Sequence, residues 1–136
     1  MMHLIYVVVL VTAVAGFAVG AVWYSALFGK AWKTEMRITE EQMQAIAAKG
    51  MASFMIKGFV FTLLSTFGLA VLLQAHGTPN WKHGAACGLF IGFLTVGVRM
   101  LNGAVYEKKS VKLQVINVGH EMVMYTLQGA ILGMWR

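Results

Sequence analysis

The sequence predicts an all-α polytopic membrane protein: four transmembrane helices, with a short amphipathic cytoplasmic helix between the first and the second. Three observations predict it. Hydrophobic residues make up 59% of the chain and charged residues only 12%, at a mean hydropathy of +0.71, whereas a soluble domain is nearer a quarter charged. Four apolar stretches are close to the ~20 residues that a bilayer crossing needs. The basic residues gather at one end of those stretches. The chain reads as one domain over residues 1–136, without low-complexity segments.

The first span is Leu4–Gly29, which holds no charged residue. Nothing basic precedes it except the amino terminus, and Lys30 and Lys33 follow. A secretory signal carries its positive charge first, so this reads as an uncleaved helix with its amino terminus outside. Thr39, with Gln42 three residues later, makes a capping box, and Met43, Ile46 and Ala47 then share a face. That pattern predicts an amphipathic helix over Thr39–Lys49, lying on the membrane surface. The second span is Phe54–Ala75, with Lys57 near its start. The segment "HGTPNWKH", His76–His83, holds the sole proline, Pro79, and reads as a turn. The third span is Gly84–Leu101, Asn102–Lys112 is a charged loop, and Leu113–Trp135 is the fourth span. Short connections predict that spans two and three, and spans three and four, are antiparallel neighbours.

Lys30, Lys33, Arg37, Lys49, Lys57, Arg99, Lys108, Lys109 and Lys112 fall on one side or just inside it, and Lys82 and Arg136 fall on the other. Nine against two orients the chain with both termini periplasmic or extracellular and its two longer loops cytoplasmic. The net charge of +6 is therefore loop charge that also meets anionic lipid headgroups. No basic patch lies outside membrane-adjacent segments, so nucleic acid is excluded as a partner. The lipid bilayer is the expected one, with a homo-oligomer or a larger membrane complex beside it.

Small residues mark the helix seams. Gly16 and Gly20 form a GxxxG in the first span, Gly84, Gly88 and Gly92 a double one in the third, and Gly129 and Gly133 another in the fourth. In lipid, close backbone approach replaces hydrophobic burial as the packing force. Pairing within the chain is the simplest use of these stripes.

The polar residues inside the spans are the candidate site. Gln114, Asn117, Glu121, Tyr125 and Gln128 recur at helical spacing and share a face, which should meet protein or water. His120 points about 100° away, toward a different neighbour, so His120 and Glu121 are not expected to pair. Glu121 lies nine residues beyond Lys112, roughly 13 Å deep. Arg99 is placed to reach it or to snorkel to the headgroups. The expected cluster in the cytoplasmic half is Tyr24, Ser25, Lys57, Arg99, Asn117, His120 and Glu121, with Gln128 further along the stripe, and the outer half is expected to be mostly apolar and glycine-rich. Trp23, Trp32, Trp81 and Trp135 read as interfacial anchors. The lone cysteine, Cys87, reads as a small buried hydrophobe. His76 and His83 flank the outer turn, and no metal or cofactor is expected there or elsewhere.

Two stretches, "GAVWYSALFGKAW" (Gly20–Trp32) and "INVGHEMVMYTLQGAILGMW" (Ile116–Trp135), together with the four-span layout, resemble the small bacterial membrane proteins grouped as domain of unknown function 1761. The resemblance covers essentially the whole chain. It implies a four-span fold in the bacterial inner membrane and brings no activity with it. Ala26 stands where the family pattern has a proline, and His120–Glu121 where it has an aromatic–histidine pair.

Two functions fit these residues: an oligomeric transporter or channel for an ion or small solute, to which the ionisable cluster points, and a structural or accessory subunit of a larger complex, to which the many seams point. An enzyme is not expected. The chain has no nucleophile–base–acid set and no phosphate loop, and it has no aspartate.

Overall fold

The computed structural model describes residues 2–78, 80–108 and 110–135. Pro79, Lys109 and Arg136, named above for the turn and the charge bias, lie outside the described residues. Among the described residues every element is helical.

Helix α1 is Met2–Val22 and passes into a π-helical turn, Trp23–Leu27. The Phe28 N–H closes that turn on the Trp23 carbonyl at 2.8 Å. Helix α2, Gly29–Met36, follows and ends on Arg37, whose φ of 57° is left-handed. Helix α3 is Glu40–Ala48, and its capping box is complete. Gln42 N–H donates to Thr39 Oγ1 at 3.2 Å, and Thr39 N–H donates to Gln42 Oε1 at 2.9 Å. Glu40 and Glu41 fill its first turn, where the helix dipole favours negative charge.

Helix α4, Met51–His76, ends at Gly77, which takes the left-handed φ of 74° that a side chain would resist. Asn80 then caps helix α5, Trp81–Phe90, by accepting from the His83 N–H at 2.9 Å. A second π segment, Ile91–Gly97, joins α5 to α6, Val98–Glu107, so one continuous helix runs from Trp81 to Glu107. Ser110 caps helix α7, Val111–Met134, and also donates to the Glu35 carboxylate, tying α2 to the start of α7.

Three helices are long and apolar enough to cross a membrane: Tyr6–Leu27, Met51–His76 and Trp81–Glu107. Helix α7 has the length but is not among them, because its stripe of glutamine, asparagine, histidine and glutamate lowers its hydropathy. It is instead the hub of the bundle. Gly84 meets Gly129 and Gly133, Gly88 meets Tyr125 and Thr126, and Gly92 meets Glu121 and Met122, so α5 and α7 run antiparallel in backbone contact. Gly16 meets Gln128 and Gly20 meets His120, which places α1 antiparallel on another side of α7. Helix α4 packs mainly on α1, with Phe17 edge-on to Phe59 at 5.7 Å. Contrary to the expectation from loop length, α4 barely touches α5. A short turn fixes only where two helices begin and end; the deep glycine seam draws α5 onto α7 instead.

The core is Leu69, Leu73, Met124 and Tyr125, packed round by Val19, Cys87 and Ile91 among others. Phe54, Ile56, Phe61 and Leu64 of α4, Leu10 and Val14 of α1, and Phe90 and Leu94 of the third span are exposed. Apolar surface on that scale suits contact with lipid.

Candidate functional site

Two polar nodes lie on α7, eight residues or about 12 Å apart along its axis. The first is built where α1 gives way to its π turn. Trp23 and Tyr24 leave that turn toward α7. Trp23 Nε1 donates to the Ile116 carbonyl at 2.9 Å, and the indole has room because residue 119 is glycine: a Cβ there would come within 3.0 Å of the ring. Tyr24 donates its hydroxyl proton to Asn117 Oδ1 at 2.9 Å. Its ring lies 5.0 Å from that of His120 and 5.7 Å from that of Trp32. His120 is 9% exposed. Its Nδ1 lies 3.3 Å from Glu121 Oε1, while its Nε2 is buried against Gly20 and has no hydrogen-bond partner.

The second π segment flanks the same level from the other side, since Gly92 abuts the Glu121 carbonyl and Gly97 abuts Val118. Each π turn holds an extra residue and disturbs the regular ladder, a feature that recurs at functional sites. Here two of them bracket residues 117–121 of α7.

The second node is Gln128 with Thr12 and Thr66, all at 0% exposure. Gln128 Nε2 donates to Thr66 Oγ1 at 2.8 Å and to the Thr12 carbonyl at 3.4 Å, while its Oε1 has no partner. The two threonines donate into their own helices, Thr12 to the Val8 carbonyl at 2.6 Å and Thr66 to that of Thr62 at 2.7 Å.

The chain matches the family described as "Protein of unknown function (DUF1761)" over residues 7–133. It belongs to this family. No curated protein and no solved structure matches it. The motif that ends α1, "GAVWYSALFGKAW", supplies the π turn and its aromatic pair, and the α7 motif supplies Asn117, His120, Glu121 and Gln128. The two stretches that carry the DUF1761 likeness are thus the two that meet at the first node.

Of the expected cluster, the structure brings together Tyr24, Asn117, His120 and Glu121. Ser25 is exposed and donates to the Ala21 carbonyl of its own helix. Lys57 and Arg99 are exposed, and among the described residues neither forms an ion pair with Glu121. The reason for Arg99 lies in the second π segment. Gly84, Gly88 and Gly92 face α7 at steps of four, but the next buried positions are Gly97 and Ala104. The five-residue step turns everything beyond it by about 100° relative to an unbroken α-helix, which carries Arg99 off the α7 face.

One further correction concerns α7. His120 and Glu121 do meet, Nδ1 to Oε1 at 3.3 Å, although neighbouring positions on a helix diverge by about 100°. Gln128 gives the mostly apolar, glycine-rich half of the bundle a polar node of its own. Thr12 and Thr66 had a signal in their place within apolar spans. Trp23 is docked on α7, and Gly119, a small residue opposite it, was the available sign.

A third group lies away from both nodes. His76, His83 and Cys87 bring three ligand-type atoms within 4.8 Å of one another at the α4–α5 turn. His83 and Cys87 are four residues apart on one helix face, a spacing that the sequence carries, whereas the approach of His76 comes from the turn.

Proposed function

We propose that this chain is a four-span membrane transporter for an ion, in which the His120–Glu121 pair exchanges a proton or a cation. The fourth span is α7. Its 24 residues suffice for a crossing, and its polar stripe is shielded by α1 and α5 rather than presented to lipid. Alternation of four spans then puts both termini on one side, which the basic residues make the outside, and α3 lies at the cytoplasmic surface.

The single observation that carries this reading is the buried Nε2 of His120, unpartnered while Nδ1 faces a carboxylate. A carboxylate in an apolar bundle costs several kcal/mol unless a positive charge or hydrogen bonds offset it. With a neutral imidazole the pair carries one negative charge. Proton uptake at Nε2 removes it, and so does an arriving cation. One site that needs one positive charge, from either source, is the minimal chemistry of proton–cation exchange. Tyr24, hydrogen-bonded to Asn117 and with its ring 5.0 Å from that of His120, adds a polar oxygen beside the pair.

Purified protein in proteoliposomes carrying a pH-sensitive dye tests this. A sodium or potassium gradient should drive proton flux, Glu121→Gln and His120→Gln should each abolish it with thermal unfolding intact, and Glu41→Gln on the exposed face of α3 should leave it unchanged. Flux equal to empty vesicles for both ions, or undiminished in Glu121→Gln, overturns the proposal.

A second reading is an accessory subunit. The α5–α7 seam favours it, since backbone meets backbone at three successive glycines and leaves no slack for sliding. A partner protein that co-purifies stoichiometrically from native membranes would support it.

A further inference from the structure

We infer that His76, His83 and Cys87 form a binding site for one thiophilic transition-metal ion, zinc or cuprous copper, at the α4–α5 end of the bundle. This site is separate from the His120–Glu121 pair and does not rest on the transport reading.

The turn builds it. Helix α4 ends at His76, Gly77 reverses the chain in a left-handed conformation, and Asn80 restarts it as α5. His83 lies in the first turn of α5, and Cys87 lies one turn later on the same face. His76 folds beside them, its ring parallel to that of His83 within 5° and 5.2 Å away. Cys87 Sγ is 3.8 Å from His83 Nδ1. A tetrahedral zinc with Zn–N near 2.05 Å and Zn–S near 2.3 Å needs those atoms about 3.5 Å apart. The pair is thus within a few tenths of an ångström of ligating distance. The remaining separations, at most 4.8 Å, close by turning the ring of His76, which is exposed.

The donor set chooses the ion. Two imidazoles and one thiolate select zinc or cuprous copper over magnesium or calcium, which take oxygen. On binding, the Cys87 S–H bond gives way to a metal–sulfur bond and its proton passes to solvent. Water completes the zinc shell on the exposed side, whereas cuprous copper is satisfied by the three side chains. The carbonyl end of α4, beside His76, adds a favourable negative potential. The adjacent cation, Lys82, lies over the Trp81 ring at 5.8 Å.

The competing account is a thiol hydrogen bond from Cys87 to His83 with no metal. Cobalt separates the two. Tag-free protein in detergent, stripped with a chelator, is titrated with Co²⁺ and then with Zn²⁺ or Cu⁺ against chromophoric chelators. One equivalent of Co²⁺ should produce a sulfur-to-metal charge-transfer band that Zn²⁺ displaces. Cys87→Ser should lose the band, and His83→Gln and His76→Gln should each weaken binding by at least about tenfold. Bound metal should also slow alkylation of Cys87 in the unmodified chain, a readout that needs no variant to fold. The Zn²⁺ and Cu⁺ arms decide which ion binds more tightly. Absence of the charge-transfer band, or equal alkylation rates with and without metal, overturns the site.

Discussion

At the scale of single residues, among the described residues two buried side-chain polar atoms are without partners, Nε2 of His120 and Oε1 of Gln128. Each costs about 1–3 kcal/mol. They differ in what surrounds them. Gln128 uses its other head atom to join α7 to Thr66 and to the Thr12 backbone, so its role is explained by cohesion. Gln128→Met fills the same space and removes the orphaned oxygen along with the bonds, so its stability should stay within about 1 kcal/mol of the parent. Gln128→Ala also leaves a cavity and should lose roughly 2–4 kcal/mol. Thermal unfolding in one detergent compares the two, and equal losses would remove this account of the node. The other ring nitrogen of His120, Nδ1, meets an ionisable carboxylate instead of neutral groups, and a basic ring nitrogen, unlike an amide oxygen, accepts a proton, so Nε2 is the atom proposed to take one.

At the scale of helices, the GxxxG stripes do two different things. Along α5 and α7 a Cβ on Gly84, Gly88 or Gly129 would meet the facing backbone, so these residues permit direct helix contact. Along α1 a Cβ on Gly16 or Gly20 would meet the Gln128 or His120 side chain, so these residues make room for polar heads. Gly88→Ala should therefore cost about 1–3 kcal/mol or more by overpacking. Gly103→Ala, with nothing within 4 Å of its Cβ position, should be neutral or stabilise by up to about 1 kcal/mol. Parallel unfolding curves check the contrast. The seams were legible in the sequence because glycine spacing needs only the period of a helix. The use of the α1 stripe was not legible, because it depends on which side chains α7 turns toward it.

At the scale of the whole molecule, the question is how many times the chain crosses. Three helices qualify by apolarity, and α7 is proposed as the fourth on the strength of its central packing. Single cysteines at Lys82, Lys49, Lys112 and Met134 in a Cys87→Ser background decide it with a membrane-impermeant maleimide on intact cells. Lys82→Cys and Met134→Cys should be labelled directly, and Lys49→Cys and Lys112→Cys only after permeabilisation. Labelling of Lys112→Cys and Met134→Cys from the same side would mean that α7 does not cross.

The sequence by itself determined the long apolar helices, the capping box at Thr39 and the glycine seams; it did not determine helix α2, and the segment Asn102–Lys112, read as a charged loop, is helical as far as Glu107. Composition, period and local hydrogen bonding are properties of neighbouring residues. Only the tertiary structure decided the partners. An unbroken 3.6-residue period aims Arg99 at Glu121, but the π segment at Ile91–Gly97 rotates it away, and the carboxylate takes His120 instead. The step from Gly92 to Gly97 was the only sequence trace of that shift. Likewise His76 meets His83 and Cys87 because the chain reverses between them, and a reversal fixes distances that spacing along the chain does not contain.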